Sequence, residues 1–153
     1  MSPHRRRTGP WRVGLDLLCL AGARTGIEAA AWWLAREMPG QAPDIGFVFF
    51  LPPGVESPLE APNVEVVRVP LGRHRAARIV AEQWRLPAIA RGQRLDLLHA
   101  IAFGVPWVYG GRKLQTVHDL SFLVMPEVMP WRYRAYWKWA YGTAARGSIA
   151  LTC

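Results

Sequence analysis

The sequence contains little cysteine, little lysine and no long apolar run. Only Cys19 and Cys153 occur among its 153 residues, which excludes a disulfide-stapled scaffold and agrees with a reducing compartment. The longest stretch without a formal charge, Leu97 to Gly111, has 15 residues and contains histidine, glycine and proline. A membrane-spanning helix needs about 20 apolar residues, so the sequence predicts no transmembrane segment.

Basic side chains outnumber acidic ones. The 19 Lys and Arg residues and the 11 Asp and Glu residues give a net charge of +8, which favours nucleic acid, phosphorylated ligands or an acidic membrane surface as partners. Only two of the basic residues are lysine, and we interpret this scarcity as a coding bias. Apolar residues make up 51% of the chain, which suits one packed domain and excludes an intrinsically disordered protein.

Residues 1–11 are interpreted as a flexible basic tail, because three consecutive arginines, Arg5–Arg7, are followed by Gly9 and Pro10. A secretory signal peptide is disfavoured because Asp16 lies within the apolar segment that follows. We therefore expect one domain over residues 12–153 and a cytoplasmic location.

Strand-like and helix-like segments alternate along the chain. Short apolar segments bounded by turn residues predict strands at Arg12–Leu18, Ile45–Leu51, Val64–Val69, Leu95–His99, Lys113–His118 and Ser148–Cys153. Helical periodicity predicts helices at Ile27–Met38, ended by Pro39-Gly40, at Arg73–Arg91, interrupted at Pro87, and at Trp131–Arg146. This order predicts an α/β fold, a Rossmann-like parallel sheet with helices on both faces.

Open parallel sheets bind ligands beyond the carboxyl ends of their strands. In the predicted fold three segments meet there, namely Gly22–Gly26, His99–Pro106 and His118–Glu127. The first has a Gly-x-x-x-Gly spacing that matches neither a dinucleotide fingerprint nor a P-loop. Its helix N-terminus would still attract an anion, and Arg24 would strengthen that attraction. The alternative is that Gly26 serves only as a turn residue.

The segment that begins at His118 carries the most informative chemistry. A histidine at a strand end can transfer a proton or hydrogen-bond a sugar hydroxyl, and Asp119 could orient its imidazole. A purely structural His-Asp turn is an equally open interpretation. No zinc-ligand spacing and no Gly-x-Ser-x-Gly elbow occur in the sequence, so neither a metal site nor a serine hydrolase is predicted.

Three segments have a recognisable pattern: RVGLDLL…GARTGIE near the start, LDLLHAIAFGVP in the middle, and TVHDLSFLVMPEVMP. Together they resemble the N-terminal half of the family 4 glycosyltransferases over Arg12–Cys153, and the H-D-L-S-F-x-x-x-P-E run is the most specific part. The resemblance implies a GT-B fold, in which two Rossmann-like domains face a cleft. It also implies transfer of a hexose from a nucleotide-sugar to an acceptor, with retention of configuration and without a metal or other cofactor.

The resemblance implies roles for individual residues. His118 would lie in the cleft near the transferred sugar, and with Asp119 it forms the predicted catalytic pair. The glycine loop would line the cleft near the donor phosphates and the acceptor. The substrate-binding candidates are Gly22, Arg24, Thr25, Gly26, His99, Phe103 and Glu127. The acceptor, which is a glycan, a lipid or a small molecule, would be held mainly by this half.

The sequence departs from the family in two places. It has Thr152-Cys153 where the family commonly has a serine after a strand, and it lacks the donor-binding half with its paired glutamates. We therefore expect a truncated acceptor-side domain that works with a C-terminal domain or a partner subunit. The isolated chain is expected to be inactive.

Two other functions stay open, a non-catalytic Rossmann-like binding module and a basic nucleic-acid-binding protein. Nucleic-acid binding is disfavoured because the arginines are dispersed and no recognised nucleic-acid module is present.

The helix predicted at Trp131–Arg146 also has two interpretations. Tyr133, Trp137, Ala140 and Ala144 share one face, and Arg134 and Lys138 lie on the other. The favoured interpretation is a core-packing helix with a solvated basic face. The alternative is an interfacial helix that contacts acidic lipid at the inner face of the membrane.

Overall fold

The computed structural model describes residues 9–22, 26–72, 75–102, 104–118, 124–125, 127, 130–132, 134–135, 138–139, 141–142 and 150–152. They include six strands, β1 (Arg12–Asp16), β2 (Gly46–Leu51), β3 (Val64–Arg68), β4 (Leu97–Ala100), β5 (Lys113–Thr116) and β6 (Ala150–Thr152). All neighbouring strands are parallel, and their order in the sheet is β3-β2-β1-β4-β5-β6. This is the strand order of a Rossmann fold, so the predicted α/β class and parallel sheet are confirmed.

Helices connect the strands. Helix α1 (Ile27–Gln41) links β1 to β2, and a short 3-10 turn, Leu18–Ala21, precedes it. Between β3 and β4, helix α2 (Arg75–Val80), a π turn (Ala81–Arg85) and helix α3 (Leu86–Gly92) follow one another without a break. All eight described residues between 131 and 142 are also helical, and we call them helical segment 131–142.

The sheet is buried on both faces. Within the fully buried run Phe47–Leu51, the odd-numbered side chains join the core beneath α1 and the even-numbered ones join the core beneath α3. Helix α1 contributes Ala31 and Ala35 to the first core, and α3 contributes Leu86 and Ala90 to the second. Helices therefore cover both faces, as predicted. Within the described ranges no helix is long and apolar enough to cross a membrane.

Helix α1 is longer than predicted. It continues through Pro39 and Gly40 to Gln41, so the prediction that Pro39-Gly40 ends it was wrong. Proline removes only one backbone donor from the helical ladder. The next turn still closes, because the Ala42 N–H donates to the Met38 carbonyl at 3.1 Å. Pro39 itself is buried against the core.

The interruption predicted at Pro87 takes the form of a π turn just before it. Proline has no N–H to donate to the Gln83 carbonyl, and its ring crowds that carbonyl. The Leu86 N–H instead donates to the Ala81 carbonyl, five residues back, which is the π pattern. The helix therefore passes the proline by widening a turn.

Strand β1 is shorter than predicted. It ends at Asp16 because the Asp16 carboxylate accepts the Leu18 N–H at 3.1 Å, and the chain then enters the 3-10 turn. Strands β2 to β5 also differ by one or two residues from the predicted bounds, as the ranges above show. Strand β6 lies within the predicted range Ser148–Cys153, whose other residues lie outside the described part of the chain.

Close contact between β1 and its neighbours depends on a glycine in the middle of the strand. A Cβ atom at Gly14 would lie 2.6 Å from Leu95 Cδ1 and 2.8 Å from Phe50 Cε2. Carbon atoms pack at about 3.5–4.0 Å, so any larger residue would displace these two side chains.

We expect Gly14→Ala to lower the free energy of unfolding by about 1–3 kcal/mol, because the added methyl overpacks the core. Urea denaturation measures the change. The matched control is Gly40→Ala in α1, where a Cβ would meet nothing within 4 Å. Alanine is the better helix former by about 1 kcal/mol, so this variant should be at least as stable as the parent. Equal stability of the two variants would contradict the packing argument.

Candidate functional site

The carboxyl ends of β1, β4 and β5 lie side by side at one edge of the sheet. In register, Leu15 of β1 pairs with His99 of β4, and His99 pairs with Leu114 of β5. The residues that follow these three strands therefore open onto the same edge, where sheets of this class bind ligands.

His118 lies just beyond β5 and is exposed. Its Nε2 lies 2.6 Å from the backbone carbonyl oxygen of Ile101. A carbonyl oxygen only accepts hydrogen bonds, so Nε2 must carry the proton in this contact. In the neutral imidazole Nδ1 is then the acceptor, which suits a hydroxyl donor from a ligand. The predicted partner, Asp119, lies outside the described residues.

His99 is buried, with only 5% of its surface exposed. Its Nε2 lies 2.8 Å from the Thr116 hydroxyl oxygen, and its Nδ1 has no partner in the described part of the chain. Burial, together with the nearby His118, lowers the pKa of His99 from 6.5 to about 4. The ring is therefore neutral at pH 7 and supplies no positive charge to a phosphate.

The two histidines connect the ends of β4 and β5 in opposite directions. His99 of β4 bonds to Thr116 of β5, and His118 after β5 bonds back to Ile101 after β4. The His99 contact joins the two strand ends, and the His118 contact fixes the orientation of the exposed imidazole.

The loop that follows β4 is held by buried glutamines that sequence reasoning missed. The Val105 N–H donates to Gln115 Oε1 at 3.0 Å, and the Trp107 N–H donates to Gln83 Oε1 at 3.2 Å. Both glutamines are at least 95% buried, and the Arg91 guanidinium adds a bond to the Val108 carbonyl at 2.7 Å. Gln83 follows Glu82 and Gln115 precedes Thr116, so neither stood out in the sequence.

Asp16 is another buried polar residue that was not predicted as part of the site. It is 6% exposed at the carboxyl end of β1, where its carboxylate accepts the Leu18 N–H. A single carboxylate inside an apolar strand is the sequence signal that marks such a position.

The glycine loop is described only at its two ends. Gly26 has a φ of +54°, which favours glycine, and its carbonyl accepts the Ala30 N–H in the first turn of α1. A Cβ at Gly22 would lie 3.9 Å from the Glu28 carboxylate. That carboxylate already complements the helix N-terminus and would repel a phosphate. Arg24 and Thr25 lie outside the described residues.

Two further predicted residues lie in the loops after β4 and β5. Glu127 is exposed, and Phe103 lies outside the described residues. In the described part of the chain, no group of three or more His, Cys, Asp or Glu side chains could hold a metal ion.

In comparisons with known proteins, the chain matches no protein-family model. A search of curated proteins gives no significant match. The fold and the geometry of the strand ends are therefore the basis for a functional argument.

We expect the stability of the protein to fall as the pH drops from 7 to 5. The pKa of His99 is lower in the folded state than its usual 6.5, so protons bind preferentially to the unfolded chain in this range. Protonation of the unfolded chain should cost about 2 kcal/mol of stability at pH 5. Urea denaturation at the two pH values measures the loss.

The control for this pH dependence is His99→Asn, which removes the titrating ring. Its stability should change less between pH 7 and pH 5 than that of the parent. An unchanged pH dependence in the variant would show that other groups account for the loss.

Proposed function

We propose that this chain is the acceptor-side part of a retaining glycosyltransferase similar to the family 4 enzymes, which transfers a hexose from a nucleotide-sugar to an acceptor. The Rossmann strand order supports the proposal, because it gathers the loops after β1, β4 and β5 at one edge. The quoted sequence segments contribute residues to that same edge.

The observation that carries the proposal is the orientation of His118. Its Nε2–H is engaged by the Ile101 carbonyl, which leaves Nδ1 to accept a hydrogen bond from a hydroxyl of the sugar. An imidazole fixed by the backbone loses little side-chain entropy when it binds a ligand. We therefore assign His118 a positioning contact with the sugar, without a role as general base.

The other described residues of the site would act by holding this geometry. His99 and Thr116 join the strand ends, and Gln115 and Gln83 fix the loop after β4. Such positioning is useful because holding two reactants in reacting geometry can lower a barrier by about 7–11 kcal/mol. It requires a second wall of the cleft, which a C-terminal domain or partner subunit would supply.

We expect the 153-residue chain alone not to transfer or hydrolyse nucleotide-sugars at enzymatic rates, since it would hold only one wall of the cleft and leave the reacting centre open to water. Nucleotide release from a panel of hexose donors measures this activity. Turnover should appear when the chain is joined to a family 4 donor-binding half. Efficient turnover by the chain alone would refute the two-wall proposal.

In the joined enzyme, His118→Ala should reduce kcat/KM by about tenfold to a hundredfold, the range expected for loss of one or two hydrogen bonds. His118→Asn retains an amide donor and acceptor and should recover part of the activity. Transfer kinetics with a fixed donor give the two values. Turnover by His118→Ala equal to that of the parent would contradict the assignment of His118 to the site.

Two further measurements separate a positioning role from a structural one. His118 is exposed, so its replacement by alanine should change the melting temperature little. Nitrogen NMR of the imidazoles should show the Nε2-protonated tautomer for neutral His118. A large stability loss that parallels the activity loss would assign the residue to the fold instead.

A further inference from the structure

The positive charge of the chain is concentrated in its second half. Residues 66–153 contain 13 Lys and Arg residues and four Asp and Glu residues, whereas residues 1–65 contain six and seven. One of those four acidic side chains, Glu82, is buried. The surface formed by the π turn, α3 and helical segment 131–142 is cationic, because it exposes Arg85, Arg91, Arg132 and Lys138.

The same part of the molecule exposes large aromatic side chains. Trp84 lies in the π turn, Trp107 in the loop after β4, and Trp131 and Trp139 in helical segment 131–142. All four are exposed, and Trp131 reaches 74%. Folded domains expose single apolar residues commonly, but several large ones on neighbouring elements indicate an interaction surface.

Two contacts show that these elements adjoin one another. The Trp107 N–H bonds to Gln83, the neighbour of Trp84 in the π turn. The Trp107 ring meets that of Trp139 edge to face, with centroids 4.4 Å apart. We call the surface formed by Trp84, Trp107, Trp131 and Trp139 the tryptophan surface.

Basic side chains accompany the tryptophan surface. Lys138 is exposed and is the chain neighbour of Trp139 in helical segment 131–142. Arg91 is exposed at the end of α3 and bonds to the Val108 carbonyl beside Trp107. Basic side chains combined with tryptophan and other apolar side chains are typical of surfaces that lie on anionic lipid.

We propose that the tryptophan surface is a docking site for an anionic phospholipid membrane, which the protein would contact without crossing it. Charge complementarity selects anionic headgroups, and the indole rings suit the headgroup region. Exposed aliphatic side chains favour lipid over nucleic acid. Val80 lies four residues before Trp84 and is 52% exposed, and insertion at the acyl boundary would remove its apolar surface from water.

Flotation with phosphatidylcholine vesicles, prepared with and without phosphatidylglycerol, tests the proposal on the complete chain. Binding should require phosphatidylglycerol and weaken at high salt, because charge attraction to the membrane is screened. The variant Trp131→Ala/Lys138→Glu should lower the vesicle partition coefficient by about tenfold or more, since it removes an interfacial anchor and reverses a charge.

The matched control is Trp33→Ala/Arg36→Glu on α1. Trp33 is 57% exposed and Arg36 lies over its ring, so both variants lose one exposed tryptophan and change the net charge equally. The control should bind vesicles within about twofold of the parent, because its charge change lies away from the docking surface. Trp84→Ala, in the π turn, should also weaken vesicle binding. Thermal melting checks that each variant is folded.

Three results would overturn the proposal. The parent chain could fail to float with phosphatidylglycerol vesicles. The control could lose as much binding as the test variant, which would show that only net charge matters. The test variant could lose binding to a single-stranded RNA while keeping its binding to vesicles, which would assign the tryptophan surface to nucleic acid.

Discussion

The burial of β2 on both faces is the constraint on which the rest of the structure depends. A strand whose side chains are apolar on both sides needs one helical layer above it and another below. Helix α1 supplies the first layer, and α3 supplies the second. Because the strands are parallel, each connection must return the chain to the amino ends. The loops that follow the strands consequently collect at one edge, so the location of the site is a consequence of the core.

The polar residues near that edge form hydrogen bonds with the backbone of the loop after β4. The loop contains glycine and proline and has no regular ladder of its own, yet much of it is buried. Buried backbone donors need partners, and neighbouring elements provide them through Gln83 and Gln115. His99 and His118 form further hydrogen bonds at the ends of β4 and β5. The hydrogen bond that satisfies the Ile101 carbonyl also gives His118 a defined orientation.

The type and order of the elements could be predicted because each depends on local pattern. The apolar run of β2 and the periodicity of α1 are visible in the sequence, and both predictions are confirmed. The boundaries at Pro39 and Asp16 were less accurate, because one depends on how the next turn closes and the other on a hydrogen bond from a backbone N–H to a side chain. His118 could be singled out from its place after a strand. Its contact with Ile101 could not, because that contact joins residues from different loops.

The buried polar residues were the least predictable part of the site. Gln83 and Gln115 look like ordinary polar residues in a sequence, and only the tertiary structure shows which backbone groups they meet. The burial of His99 could not be predicted either, because the pattern of apolar and polar residues within β4 does not show how deeply the carboxyl end of the strand is covered. The proposed link between site and glycosyl transfer rests on the sequence resemblance as well as on geometry.

The π turn allows one helix both to pack against the sheet and to hold the loop after β4. A π turn holds more residues than an α-helical turn, so consecutive side chains rotate less around the axis. Ala81, Glu82 and Gln83 are all buried. The smaller rotation between consecutive residues keeps these three side chains closer to one side of the helix than an α-helical turn would. The helix can thus pack an apolar side chain and hold a loop from adjacent positions. Deleting a single residue here would return the turn to α-helical winding and leave the flanking turns close to their present orientation, but it would bring the Pro87 ring against a carbonyl of the α-helical ladder.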